Sequence, residues 1–247
     1  MRLTRLPDAA HFVLRGGMLM RLWFRPLDRP AGDLDLTTAL PFDVNETSRR
    51  LVPLLADRGI KDGVRFDATR VRVEGIWLDT AFPGVRMFAA GAVDGVEDSF
   101  SVDVTFGETL VPEPAVADYP TSGGAHVAQL RMCRPETIAG RKLHALMHMG
   151  ALHWRPKDLN DLRLILGMMP TDADDLIAAI ASSFTSRGNT TADARDLFRG
   201  SWWSRKTAAT RWHDFVTGGG RALASGPLAP VVAEVVDRLE PILERLP

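Results

Sequence analysis

Two aspartates, Asp33 and Asp35, stand one residue apart in the segment GDLDLT. They alternate with Leu34 and Leu36, which is the period-two pattern of a strand with one apolar and one acidic face. Both carboxylates therefore share one side of the predicted strand. Carboxylate oxygens are hard ligands that Mg²⁺ binds together with water and substrate phosphates. Paired aspartates also occur on solvated strand edges, so the pair alone does not establish a metal site.

A third carboxylate is expected from a second predicted strand, residues 100–106. Four apolar residues alternate there with three polar ones. One face carries Phe100, Val102, Val104 and Phe106, and the other carries Ser101, Asp103 and Thr105. Asp103 is thus a candidate for a third oxygen ligand.

A glycine pair, Gly16 and Gly17, lies upstream of these aspartates. A short strand is predicted over residues 11–14 and a helix over 18–24, so the pair occupies a strand-to-helix turn. Bare backbone N–H groups and a helix N-terminus together bind phosphate oxygens. The pattern therefore predicts a phosphate beside the paired carboxylates.

Lys142 lies within the apolar stripe of a helix predicted over residues 135–149. An ammonium on a buried face needs an anionic partner to offset its desolvation, and either a phosphate or an aspartate would serve. The alternative is that the side chain extends along the helix to reach water.

The helix predicted over residues 156–166 poses the same problem, because Asp158 lies on its apolar face. Asp161 is expected at the edge of that face and Asn160 is expected to point outward. The alternative for Asp158 is that it complements the positive end of its helix. Lys157, in the first turn, is either solvated or a phosphate ligand.

Other residues are assigned structural roles. His144 and His148 have the spacing of a zinc pair, but no glutamate follows the first, and a solvated helix face is the preferred interpretation. Cys133 has no neighbour that would activate a thiol. Three tryptophans of the C-terminal part could stack on nucleic-acid bases, but they are interpreted as hydrophobic anchors of helices. They are Trp202, Trp203 and Trp212.

Composition sets the frame for these sites. The 247 residues include 45% hydrophobic and 25% charged residues, which excludes a largely disordered chain. Thirty basic and thirty-one acidic residues give a net charge of -1, so any contact with RNA must come from a local patch. The single cysteine, the lack of a signal-peptide core and the lack of a membrane-spanning apolar stretch predict a cytoplasmic protein.

The elements that must position the site residues change character along the chain. Short strands dominate to about residue 110 and helices follow, which predicts an α+β fold. A proline-rich stretch, residues 111–120, and the segment 121–124 predict a boundary, with a core domain over 1–120 and a helical domain over 121–247. Further strands are predicted over 70–77 and 85–90, and further helices over 45–58, 171–180, 206–216 and 231–246.

Together these segments resemble the AbiEii/AbiGii-type nucleotidyltransferase toxins, which are members of the DNA-polymerase-β-like nucleotidyltransferase superfamily. The resemblance rests on FVLRGGMLMRLWF (residues 12–24), on Arg29 followed by GDLDL, and on SVDVTFGE (101–108). It continues in RPETIAGRKLHAL and in RPKDLNDL (155–162). RKTAATRWHDFV is similar to the family's C-terminal tail, though more weakly.

The resemblance implies a mixed-sheet nucleotidyltransferase core and a helical C-terminal lobe, with Mg²⁺ and a nucleoside triphosphate bound between them. Characterised relatives are toxins, some of which transfer nucleotides to the acceptor end of tRNA, and a neighbouring antitoxin restrains the system. The metal ligands would be Asp33, Asp35 and Asp103.

The remaining roles follow from the same resemblance. Lys142 would neutralise phosphate charge, assisted by Arg29 or Lys157, and Asp158 would hold Lys142 or the sugar. The glycine pair and Asp161 complete the expected nucleotide site.

The chain departs from the family pattern at four positions. Met18 replaces a small hydroxyl residue, Ala31 a common serine, Arg141 a glutamate and Asn160 a common tyrosine. Two alternatives stay open. One is a nucleotidyltransferase that uses the same metal chemistry to modify small molecules such as antibiotics. The other is a catalytically inactive nucleotide-binding regulator, which the changes at Met18 and Arg141 suggest.

Overall fold

A computed structural model describes residues 2–25, 31–56, 63–120, 127–218, 224 and 226–247 of the chain. Within these residues a mixed sheet has eight strands, in the order β3-β5-β6-β2-β1-β8-β7, with β4 also pairing with β5. The strands are β1 (Phe12–Arg15), β2 (Asp33–Thr38), β3 (Val64–Phe66), β4 (Arg72–Ile76), β5 (Gly84–Val93), β6 (Val96–Phe106), β7 (Ala115–Pro120) and β8 (Val127–Met132). The predicted mixed-sheet fold is confirmed.

Strands β2 and β6 form the centre of the sheet and run parallel, with Asp35 directly beside Asp103. The apolar residues of both strands lie on one face, where Leu36 and Val104 are fully buried. The alternation predicted from the sequence therefore holds, and the acidic residues lie on the opposite face. Asp103 is only 2% exposed, so this second face is also covered at that point.

The pair of β2 and β6 is flanked by β1 on one side and by β5 on the other. Strand β1 is antiparallel to β2 and leads directly into helix α1 (Gly16–Trp23). Strands β5 and β6 form a hairpin whose two-residue turn, Asp94 and Gly95, has positive φ angles at both positions. This is the backbone of a type I′ turn, which the dipeptide Asp-Gly favours because it accepts left-handed conformations.

The other helices, apart from α2 (Val44–Ala56), follow the sheet in sequence. They are α3 (Pro135–His153), α4 (Pro156–Met168), α5 (Ala173–Thr185), α6 (Thr191–Asp196), α7 (Lys206–Thr217) and α8 (Leu228–Leu243). Proline opens both α3 and α4, as predicted, because it needs no backbone partner at the first helical position. The side chain of Asp172 caps α5 by accepting from two backbone N–H groups.

Two compact units account for the chain. The sheet unit comprises Met1–Leu22, Ala31–Glu108 and Ala115–Met132, and the helical unit comprises Trp23–Pro30, Thr109–Pro114 and Cys133–Pro247. The sequence pattern predicts a boundary at residues 111–124 and a helical domain that begins at residue 121. In the structure β7 and β8 pair with each other on either side of that point and extend the sheet.

Within the helical unit, helices α3, α4 and α5 surround a leucine-rich core whose members include Leu143, Leu146, Leu159 and Leu162. Trp203 and Trp212 are buried, as the interpretation of these residues as hydrophobic anchors expects. Among the described residues no helix combines the length and the apolar character needed to cross a membrane.

Candidate active site

Three carboxylates meet on the polar face of the sheet unit. One oxygen from each of Asp33, Asp35 and Asp103 lies within 4.8 Å of the other two. The parallel register of β2 and β6 causes this convergence, because it places Asp35 and Asp103 side by side. Asp33 lies two residues along the same strand face. Three oxygen anions at this spacing form a donor set suited to a divalent cation such as Mg²⁺.

The glycine turn borders this cluster directly. Gly16 has a φ of +68°, and a Cβ atom built on it would stand 1.9 Å from Oδ2 of Asp35. Only glycine therefore fits both the backbone conformation and the space. The backbone N–H of Gly17 donates to the same oxygen at 3.3 Å. The turn therefore sets the position of Asp35 as well as starting α1.

An arginine that the sequence analysis does not identify binds the third carboxylate. Arg86 of β5 donates from Nε to Oδ1 of Asp103 at 2.7 Å and from Nη2 to Oδ2 at 2.5 Å. The hydrogen bond to Asp103 raises the pKa of Arg86, and the negative charges of Asp103 and Asp33 raise it further against the opposing effect of burial. Arg86 therefore stays charged beside the cluster.

A second ionic cluster lies in the helical unit. Lys142 Nζ is 2.6 Å from Oδ1 of Asp158 and 2.8 Å from Oδ2 of Asp161. Arg155 donates from Nε to the other oxygen of Asp158 at 2.6 Å. Burial alone would lower the pKa of Lys142, but the two carboxylates outweigh it and the pKa lies above its ordinary value. Lys142 is therefore a fully charged ammonium held on α3 by two residues of α4.

Some predictions about these helices are wrong in detail. Asp161 is expected at a helix edge and Asn160 is expected to point outward, yet both are at most 1% exposed. Helix α4 is covered by α8 as well as by α3, so a wider face than the sequence suggests is buried. His144 is also buried rather than solvated, and its Nε2 lies 2.9 Å from Oδ1 of Asn189.

The two remaining predicted site residues are Lys157 and Arg29. Lys157 is exposed in the first turn of α4. Arg29 lies outside the described residues.

Comparison with known proteins identifies the family. The family model for the nucleotidyltransferase AbiEii toxin of type IV toxin–antitoxin systems matches residues 1–237. This chain belongs to the AbiEii nucleotidyltransferase toxin family. The chain is therefore a nucleotidyltransferase of a toxin family. Membership implies a nucleoside triphosphate as substrate and an antitoxin as partner.

Solved structures show the same fold for the AbiEii-family chain. The crystal structure of JHP933 from Helicobacter pylori is 15% identical, with a TM-score of 0.56, over 99% of this chain and 89% of that one. A second H. pylori structure, whose assignment as a nucleotidyltransferase is itself provisional, is 13% identical with a TM-score of 0.57, covering 99% and 92%. Curated protein sequences give no significant match.

Proposed function

We propose that this AbiEii-family enzyme transfers a nucleotide from a nucleoside triphosphate to an RNA acceptor such as tRNA in a Mg²⁺-dependent reaction. The observation that carries the proposal is the cluster of three carboxylates on adjacent strands beside a glycine turn. In the proposed reaction a hydroxyl group of the acceptor attacks the α-phosphorus and pyrophosphate leaves. The proposal also makes the chain the toxin of a toxin–antitoxin pair in the cytoplasm.

The donor set fits a divalent cation. Asp33, Asp35 and Asp103 offer only oxygen atoms, and Asp103 is almost completely shielded from water. These three residues would hold Mg²⁺, which when bound lowers the pKa of an attacking hydroxyl and offsets charge on phosphate oxygens. Three carboxylates this close repel one another unless positive charge lies beside them.

The chain's own groups supply the remaining interactions. We assign the glycine turn at the positive end of α1, Gly16 and Gly17, to the triphosphate. A phosphate oxygen bound at the backbone N–H of Gly17 would replace the hydrogen bond from that group to Asp35. We assign Lys142 to the neutralisation of phosphate charge from its place in the segment RPETIAGRKLHAL, which resembles the family's lysine helix. Asp158 and Asp161 then orient the ammonium.

Two cations are assigned auxiliary roles at the phosphates. Lys157 is available because its side chain is exposed, and Arg29 is assigned from its place in the family motif. Neither contributes to the metal site.

The proposal is tested by incubating the purified protein with total cellular RNA, Mg²⁺ and each of the four α-phosphate-labelled nucleoside triphosphates in turn. We expect a labelled RNA band with at least one nucleotide, and its size identifies the acceptor class. Labelling of an added aminoglycoside instead of RNA would favour the small-molecule alternative. Nucleotide binding by calorimetry without pyrophosphate release on any acceptor would favour the inactive regulator.

A further inference from the structure

Arg86 occupies an unusual place for a charged residue. Its neighbours in β5, Val85 and Met87, are 1% and 3% exposed and face the apolar core. Arg86 therefore points to the opposite face of the sheet, where the hairpin register places it directly across from Asp103. About a third of its side chain is exposed, at 32%, against 3% for Asp103.

The geometry of this pair bears on the acidic cluster. The guanidinium donates one hydrogen bond to each oxygen of Asp103, in the fork arrangement that arginine forms with carboxylates. Both oxygens of the most buried ligand are thus engaged by the protein itself. A divalent cation that also contacts Asp33 and Asp35 must share an Asp103 oxygen with Arg86 or displace the guanidinium.

We propose that Arg86 is a positioning residue that holds Asp103 in place before metal binding and lowers the affinity of the three carboxylates for the metal. The inference rests on the proposed function, because it concerns the same metal site. Arg86 acts through Asp103 and supplies the positive charge that keeps three neighbouring carboxylates together in the metal-free protein.

A second carboxylate lies on the other side of Arg86. Glu74 of β4 is opposite Arg86 in the antiparallel register and also pairs with Arg72 at 3.5 Å. A guanidinium displaced from Asp103 would therefore have an acidic neighbour on the adjacent strand, which it would share with Arg72. Arg86 thus sets how much divalent cation the site needs, without leaving the sheet.

The direction in which metal affinity changes when Arg86 is replaced distinguishes this role from a merely structural one. A charge within a few ångströms changes the proton affinity of a carboxylate by ~10- to 1000-fold, and a metal ion responds to the same field. Since Arg86 is partly exposed, we expect the lower end of that range. Removing its charge should tighten metal binding about tenfold, whereas loss of a purely structural support would weaken it.

The test is calorimetric titration of the full chain with Mn²⁺ alone, without nucleotide. We expect Arg86→Met to bind Mn²⁺ about tenfold more tightly than the wild type, and its metal-free form to melt at a lower temperature. Arg86→Lys keeps the charge but loses the fork, so we expect binding only about threefold tighter. The matched control Arg49→Met removes an exposed arginine of α2 and should bind as the wild type does.

Two results would overturn the inference and are distinguishable. Wild-type or weaker Mn²⁺ affinity in Arg86→Met, or in Arg86→Lys if the first variant does not fold, overturns the role of Arg86 and leaves the proposed function standing. Failure of the wild type itself to bind Mn²⁺ overturns the proposed metal site and the inference with it.

Discussion

At the scale of single residues, Asp35 lies at the centre of the acidic cluster. It has Asp103 beside it on β6 and Arg15 beside it on β1, and it accepts a hydrogen bond from the glycine turn. We expect Asp35→Asn to lower nucleotide transfer at least ~100-fold, because it removes one of the three carboxylates that would hold Mg²⁺ at the reacting phosphate. The fold should persist, since the substitution also relieves repulsion between carboxylates.

Pyrophosphate release and thermal melting together check this prediction. The matched control is Asp98→Asn, an exposed aspartate of the same hairpin strand as Asp103, which should keep full activity. Full activity in Asp35→Asn would remove Asp35 from the reaction.

Gly16 allows a second test of the site, because the effect of its backbone conformation can be measured separately from the effect of its contact with Asp35. Gly16→Ala adds backbone strain at a φ of +68° and also pushes a methyl group into Asp35. Gly95→Ala adds the same kind of strain at a φ of +83°, with no atom within 4 Å of the new Cβ. Both variants should lose ~1–2 kcal/mol of unfolding free energy from the backbone alone.

Only Gly16→Ala should lose transfer activity as well, because only its methyl group displaces a carboxylate of the cluster. Denaturant unfolding and the transfer assay measure the two effects separately. Equal activity in both variants would mean that the turn does not determine the position of Asp35.

Period-two alternation predicts that each of the three aspartates lies on a polar strand face. It does not predict that β2 and β6 are parallel neighbours, so the expectation of a joint site depends on the family resemblance. Arg86 was missed, although a signal for it exists. Asp94 and Gly95 favour a two-residue hairpin turn, and eight residues outward on either side of it place Arg86 opposite Asp103. Asp161 was misjudged because a single helix does not reveal how many neighbours cover it.

At the scale of elements, α3 and α4 are joined by the contacts of Lys142 with Asp158 and Asp161. Lys142→Met leaves two carboxylates, each about 1% exposed, without their ammonium partner. We expect a loss of ~3–5 kcal/mol in unfolding free energy, the usual cost of breaking a buried ion pair from one side.

Urea unfolding checks this value, with Lys206→Met, an exposed lysine at the start of α7, as the charge-matched control. Adding Asp158→Asn and Asp161→Asn to Lys142→Met should restore most of the lost stability. A small effect of Lys142→Met alone would mean that water reaches these carboxylates.

Helix α3 also carries a pH-dependent group in His144. Burial lowers its pKa, with further lowering from the charges of Arg187 and His148, while the contact with Asn189 opposes the shift. The folded protein therefore binds this proton less readily than the unfolded chain, whose histidine has a pKa near 6.5. Stability should fall as the pH drops through that value and towards the folded pKa.

Melting temperatures at pH 7.5 and 5.5 measure this contribution. The decrease between the two pH values should be smaller in His144→Gln than in the wild type. The exposed neighbour provides the control, because His148→Gln should keep most of the wild-type pH dependence. An unchanged decrease in His144→Gln would contradict a buried neutral histidine.

Some helices and strands are predictable from the sequence and others are not, for physical reasons. Helices α3, α4 and α5 were found because proline, capping residues and apolar periodicity agree there. Strand β7 was missed because it lies at the edge of the sheet with mostly exposed residues and stands in a proline-rich stretch. An edge strand buries too little to show an apolar pattern, and its partner β8 was missed with it.

At the scale of the whole molecule, the family match over residues 1–237 accounts for nearly the entire chain, and its net charge is only -1. Recognition of the proposed RNA acceptor would therefore depend on local groups rather than on a general positive field. The proposed activity is metal-dependent nucleotide transfer to RNA at the three clustered carboxylates.

The most direct measurement is transfer of an α-phosphate-labelled nucleotide to total RNA, with EDTA and then with Mg²⁺ restored, by the wild type, Asp103→Asn and the control Asp98→Asn. We predict labelled RNA only with Mg²⁺, from the wild type and from Asp98→Asn, and none from Asp103→Asn. Labelling by Asp103→Asn at the wild-type rate, or labelling that persists in EDTA, would contradict the account.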